Sequence, residues 1–374
     1  MNVPKLRFKE FNDEWRCFSL DKLVSFSKGN LLSKADLEEE GLYPCVLYGQ
    51  LYTKYSEVIR NVYSKTNRND KNLIMSKYGD VLIPSSGETP LDISTASCIM
   101  LDNIILGGDI NILSPKNCDG RFLSYMINNN KRKEIAKVAQ GHSVVHLYND
   151  NLKRINVNIP LLNEQKKISN TLELLNKKIE LQTKKIEDLK LFKLCTAKII
   201  FKDDSLLCKK QIKELCHIAK GKQINSEYLS ETGKYYMLNG GINPSGFINE
   251  YNTNENTISI SEGGNSCGYV NFNKSKFWAG GHCYTVTPID INNIYLYQIL
   301  KFNENKIMDL RVGSGLPNIQ KKDLENFSVY VHHSNVQNKI ATILSSIDKL
   351  IDLEEKKISN IEKLKKGLMQ NMFV

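Results

Sequence analysis

Long apolar runs are missing from this sequence, and no stretch approaches the length of a membrane span. The N-terminus has no basic-then-apolar leader, and Glu10, Asp13 and Glu14 come early, so a cytoplasmic protein is expected. The nine cysteines are scattered and odd in number, with no C-x-x-C pair. That speaks against a disulfide framework or a zinc site and for reduced or buried thiols. No G-x-x-x-x-G-K-[ST] loop occurs, since Gly221-Lys222 is followed by Gln223 and Gly233-Lys234 by Tyr235. SEGGNSCG at 261–268 is glycine-rich, but no βαβ pattern surrounds it. No two prolines are adjacent, which excludes the [DNS]-P-P-[YFW] tetrapeptide of amino-methyltransferases. The six histidines (142, 146, 217, 282, 332, 333) have no ligand-like spacing with carboxylates, and His332-His333, following a strand, is expected at the surface. Cys283 beside His282 imitates a nucleophile–base pair, but neighbours in a strand point to opposite faces. The chain is therefore expected to hold no catalytic residue, no metal and no cofactor of its own.

Proline is also absent from two long stretches, 165–201 and 337–373, whose only glycine is Gly367. These stretches are copies of each other. Gln165, Ile168, Leu172, Lys177, Ile179, Lys185, Ile186, Lys193 and Phe201 recur at an offset of 172 (337 − 165) as Gln337, Ile340, Leu344, Lys349, Ile351, Lys357, Ile358, Lys365 and Phe373. Apolar residues step by fours and threes through Ile168, Leu172, Leu175, Ile179, Ile186 and Leu189, and in the copy through Ile340, Leu344, Ile347, Ile351, Ile358 and Ile361. This is a heptad seam, which predicts two coiled-coil helices of about 55 Å. Polar breaks fall at matched places, Gln182 with Glu354 and Lys193 with Lys365. Each copy has two possible partners, its twin in the same chain or one in a second chain. The tether favours the first, an antiparallel intramolecular pair with pseudo-two-fold symmetry.

The repeat extends beyond the helices. WRCFSLDKLVSFSKG recurs as CKKQIKELCHIAKGK at an offset of 192, aligning Lys28-Gly29 with Lys220-Gly221, so the second body is about 20 residues shorter (192 − 172). Between opening and helix lie short apolar runs cut by Gly, Asn and Pro, which read as strands joined by tight turns. Helix-like stretches occur at Phe122–Asn128 and Lys131–Ala139, and Ile155, Val157 and Ile159 alternate as in a half-buried strand. The expected fold class is α+β: two globular α/β bodies, each followed by a long helix, divided as 1–162, 163–202, 203–334 and 335–374. The net charge of +10 permits a nucleic-acid partner, but residues 164–202 and 337–374 supply +7 of it, and a solvated helix face explains such lysines equally well.

PKLRFKEFNDEW at the start and IPLLNEQKKISNTLELLNKKIELQTKKIEDLK in the centre carry a resemblance, joined by GDVLIPSSG in the first body and by NGGINPSG, GSGLPNI and the final helix in the second. In this order they make the whole chain resemble the specificity subunits of type I restriction-modification systems. One departure is that VHHSNVQNKI replaces IPLLNEQKKI, so the proline and glutamate that open the first helix are missing from the second. The resemblance implies that each body is a target recognition domain reading one half of a split, asymmetric sequence in double-stranded DNA, with the helices as spacer. It implies docking of two methyltransferase subunits, with restriction subunits joining through that complex. Adenine methylation and ATP-dependent cleavage would then belong to partners, which would bind S-adenosylmethionine, ATP and Mg. The competing reading is a coiled-coil scaffold with two binding modules for something other than nucleic acid.

Base edges are read by side chains with paired donors and acceptors. In the first body Tyr48, Gln50, Ser85, Ser86 and Glu88 are the expected DNA-binding residues; in the second they are Asn239, Asn243, Ser245, Glu262 and Asn265. Lys28, Lys220 and Lys222 are expected on phosphates. The alternative for each Gly-, Asn- and Ser-rich run is a plain turn.

Overall fold

The computed structural model describes residues 3–141, 144–202, 207–313 and 315–374; His142, one of the six histidines, and Ser314, within GSGLPNI, lie outside them. The chain divides into two units: residues 1–181 with 358–374, and residues 182–357. The division cuts both long helices, Leu162–Lys202 and Ser334–Met372.

Unit 1 contains a five-stranded sheet, in the order Val24–Lys28, Ile110–Pro115, Val81–Pro84, Ser97–Ile99, Val58–Ile59. A four-stranded sheet follows the order Ser64–Thr66, Tyr43–Val46, Ile105–Leu106, Ile74–Met75. Unit 2 repeats both with one strand fewer. Its sheets run Cys216–Lys220, Cys283–Pro288, Thr257–Ser261, Val270–Asn273 and Gly246–Ile248, Tyr235–Leu238, Trp278–Ala279. The extra strands of unit 1, Val58–Ile59 and Ile74–Met75, lie at sheet edges and fall in the segment where the first body is longer. Each opening folds as strand, one helical turn, strand: Arg16–Ser19 pairs with Asn156–Ile159, and Leu207–Gln211 with Ser328–His332. In Asn156–Ile159 the expected alternation is present, with Val157 and Ile159 buried. Tyr48–Thr53 forms a short helix where a continuous apolar run suggested strand. The two helix-like stretches join as one run from Gly120 to Val138, through a wider turn at Ile127–Lys131.

The long helices start by the same device twice. Gln165 Nε2 donates to the Pro160 carbonyl (2.8 Å) and Gln337 Nε2 to the His332 carbonyl (3.0 Å). The same amides accept from the backbone N–H of Asp119 (2.9 Å) and Asn292 (3.4 Å). Asp119 and Asn292 in turn cap the helices Gly120–Met126 and Asn293–Phe302, accepting from N–H groups that a helix start leaves unpaired. The second helix thus starts without the proline and glutamate of the first. Glu164 belongs to unit 1 alone: it is buried and takes Arg7 Nε at 2.7 Å, whereas Val336 occupies the matching position. The helix ends also match. Phe373 packs on Phe122 in unit 1 (ring centroids 5.3 Å), and Phe201 packs on Tyr295 in unit 2 (6.2 Å). His332, expected at the surface, is buried there, its Nδ1 2.8 Å from the Tyr295 hydroxyl.

Within unit 2 the two helices run antiparallel, since Lys193 pairs with Asp348 (2.6 Å) and Lys185 with Glu354 (2.8 Å). Gln182 Nε2 donates to Glu354, so two residues one repeat apart (354 − 182 = 172) meet each other. Of the seam positions, Ile168, Leu172, Ile186, Ile340, Leu344, Ile347 and Ile351 are buried, and Leu175, Ile179, Leu189, Ile358 and Ile361 half-buried. In unit 1 the first of these joins a core with Trp15, Phe122, Tyr125, Met372 and Phe373. No described helix is long and apolar enough to cross a membrane.

Candidate nucleic-acid interface

A four-residue constellation occurs once in each unit, at matched positions. Strand register fixes the match: Ile110 pairs with Pro84 as Cys283 pairs with Ser261, so the next residues outward, Asp109 with Ser85 and His282 with Glu262, correspond. Backbone bonds repeat there, Ser85 N to Asp109 O (2.7 Å) and Glu262 N to His282 O (3.0 Å). So do Leu147 N to Ser85 O (2.9 Å) and Ile319 N to Glu262 O (2.8 Å). Asn111 Nδ2 donates to the Leu147 carbonyl (2.8 Å), and Tyr284 hydroxyl to the matching Ile319 carbonyl (3.0 Å). The fourth members are Lys28 and Lys220, at the ends of matched strands.

Close backbone packing forces this gathering. A Cβ on Gly29 would lie 2.1 Å from the Gly107 oxygen, and one on Gly221 2.3 Å from the Gly280 oxygen. Only glycine permits such an approach, which brings each lysine-bearing strand end onto the turn carrying Asp109 or His282. Gly29 N then donates to Ile110 O (2.9 Å) and Gly221 N to Cys283 O (2.8 Å).

Each constellation pairs its lysine with a carboxylate, but from a different position. In unit 1 Lys28 Nζ is 3.4 Å from Asp109 Oδ1, which also receives Ser85 Oγ at 3.3 Å. In unit 2 Lys220 Nζ meets Glu262 Oε1 at 2.5 Å, and that carboxylate also takes the Tyr284 hydroxyl (3.0 Å) and His282 Nδ1 (3.2 Å). Burial, with the hydrogen bond to Glu262 behind it, pushes the Tyr284 hydroxyl well above the ordinary phenol range, so it stays a donor. Both lysines are half exposed, so a phosphate arriving from solvent competes easily with pairs of this kind.

Of the expected residues, Lys28 and Ser85 meet in unit 1 around Asp109, and Lys220, Glu262 and Asn239 meet in unit 2 around His282, whose N–H Asn239 Oδ1 accepts at 2.9 Å. Ser86 is buried in a two-residue strand paired with Val145–His146. Gln50 does not stand on an open rim. It is buried, its Oε1 accepts from Leu47 N (3.0 Å) and its Nε2 donates to Ser64 Oγ (2.5 Å), so its amide caps its own short helix. Tyr48 is half-buried. Glu88, Lys222, Asn243, Ser245 and Asn265 are exposed, outside the constellations. Asp109, Asn111, His282 and Tyr284 were not anticipated. A signal existed: Gly107-Gly108-Asp109 and Gly280-Gly281-His282 match at an offset of 173, one residue beyond the helix repeat. Cys283 is buried and points away from exposed His282, and burial pushes its thiol up to about 12, so the two form no nucleophile–base pair.

Residues 12–191 and 208–363 match the family described as the type I restriction modification DNA specificity domain. The chain is 35% identical over 182 residues to S.MpnORF638P, a putative type I specificity subunit of Mycoplasma pneumoniae, a match covering 48% of each protein. It is 25% identical over 392 residues to the putative type I specificity subunit S.MgeORF438P of Mycoplasma genitalium, covering 99% of this chain and 96% of that one. In fold it is similar to the crystal structure of a type I restriction-modification S subunit from M. genitalium, with TM-score 0.73 at 22% identity over 100% and 99% of the two chains. With two matched regions spanning most of its length, the chain belongs to the family of DNA specificity subunits of type I restriction-modification systems.

Proposed function

We propose that this chain reads a split, asymmetric DNA sequence, one half-site per body, for a complex whose chemistry belongs to its partners. The observation that carries the reading is the paired constellation: one lysine held constant on two matched strand ends, beside side chains that differ between units. A constant cation suits the phosphate backbone, which is alike at both half-sites, and differing neighbours suit half-sites that differ. The modules are residues 1–162 and 203–334 as readers, with 163–202 and 335–374 as a spacer and docking element. Partners are double-stranded DNA, two methyltransferase subunits and, through them, restriction subunits. S-adenosylmethionine, ATP and Mg would be bound by those partners, in the cytoplasm.

Methylome sequencing tests this. A host carrying the chain with its methyltransferase subunit is compared with a host lacking only the chain. The expected result is a split asymmetric motif that disappears on deletion, and exchange of residues 15–160 should alter one half-site alone. An unchanged methylome, with the complex expressed, would overturn the reading.

A further inference from the structure

The constellations differ at three positions, and burial separates those three. Ser85 and Glu262 are only 5% and 8% exposed. Asn111 and Tyr284 turn inward to carbonyls. The third position alone stands out: the side chain is 47% exposed at Asp109 and 61% at His282. We infer that Asp109 and His282 are the specificity-determining residues at one base position in each half-site, with Lys28 and Lys220 beside them on phosphates and Glu262 as a positioning residue for His282. The inference rests on the DNA reading above and deepens it.

The chemistry differs between the two. Ionised Asp109 only accepts hydrogen bonds, so it fits a base that offers an exocyclic amino group in the major groove, cytosine N4 or adenine N6. Its backbone holds φ at +60°, a left-handed turn that aspartate, asparagine and glycine tolerate and most residues do not. Lys28, 3.4 Å away, pairs with Asp109 in the absence of DNA and frees its oxygens as acceptors when the ammonium turns to a phosphate. In unit 2 the ring of His282 lies with Nδ1 against the Glu262 carboxylate, so the hydrogen between them belongs on Nδ1. The other ring nitrogen, Nε2, is then the one offered to a base, an acceptor while the ring is neutral. Glu262 thus acts through His282: it fixes the ring and its tautomer from a buried position.

The test uses the full chain copurified with its methyltransferase subunits, acting on a library of duplexes randomised across both half-sites. Asp109→Asn keeps the turn and replaces an acceptor by the donor–acceptor pair that matches adenine N6 and N7. It is expected to shift preference about tenfold towards adenine at a single position of one half-site, leaving the other half-site unchanged. Asp109→Gly is expected to relax that same position. His282→Asn should change one position of the other half-site, and Glu262→Gln should relax that position and no other. If Asp109→Asn, Asp109→Gly and His282→Asn all methylate with wild-type preferences, the assignment is wrong. It is equally wrong if both Asp109 variants unfold at the wild-type temperature yet methylate nothing, because the residue would then serve assembly and not choice. A wild-type complex whose methylation pattern ignores this chain would instead sink the DNA reading itself.

Discussion

Unit 1 and unit 2 set the same problem twice and solve it with different side chains. Both bring a lysine-bearing strand end onto a glycine-lined turn, and both neutralise that lysine with one carboxylate. In unit 1 the acid is on the turn, at Asp109; in unit 2 it has moved to the neighbouring strand, at Glu262, and the turn carries His282. What stays constant is dictated by backbone geometry and by charge balance. What changes is the functional group presented outward, an acceptor in one unit and an imidazole in the other. The comparison teaches which positions belong to the frame and which are left to vary.

The frame is broken most severely at the glycines. Gly29→Ala and Gly221→Ala each place a methyl group against a backbone carbonyl oxygen, which cannot swing aside as a flexible side chain would, and each should cost about 3 kcal/mol. Thermal unfolding of the two variants should show similar losses. A large loss for one and none for the other would mean that the two turns are not equivalent. Leu172→Ala and Leu344→Ala form the next pair. Both leucines are fully buried at matched seam positions, and each truncation should cost about 2–5 kcal/mol by denaturant unfolding. Unequal costs would measure how differently the two cavities collapse.

Much of this frame was legible in the sequence, for a local reason. Heptad spacing and helix starts are short-range patterns, so Ile168 to Ile361 could be placed on a seam, and the repeat of Gln165 as Gln337 marked both helix starts. Lys28 and Lys220 were legible through the repeated opening. The burial of Gln50 was not legible because its partner Ser64 lies on a strand away from its own helix, and that of His332 because Tyr295 closes over it from a helix far away in sequence. Asp109 and His282 were missed because the two residues look unalike and the offset slips from 172 to 173 in that segment. Their equivalence emerges only from strand register and repeated backbone bonds, which are long-range facts.

Smaller effects sharpen the comparison on the DNA side. Lys28→Ala and Lys220→Ala should weaken binding of the assembled complex to all duplexes alike, each lowering the slope of log K against log salt by about one. The two lysines should contribute equally, because each sits on the same strand end. A variant that instead changed base preference would move its lysine from the constant to the variable set.

The smallest effect lies where the two helix copies touch at matched positions, Gln182 in one and Glu354 in the other. The hydrogen bond from the Lys185 ammonium, with Lys357 adding to it, holds the Glu354 carboxyl below the ordinary range. A carboxylate whose pKa is lower folded than unfolded adds stability that is fully present above its unfolded value, near 4.5, and is lost as pH falls through the folded one. Glu354→Gln should therefore be less stable than the wild type near neutrality, and the difference should shrink as the pH is lowered past 4.5. Gln182→Glu would place two carboxylates together at the crossing, so its penalty should follow the same course, largest near neutrality and relieved by acid. Parallel pH profiles for wild type and Glu354→Gln would show that Lys185 and Lys357 merely cover the seam, and that the charge of Glu354 contributes nothing to the pairing of the two copies.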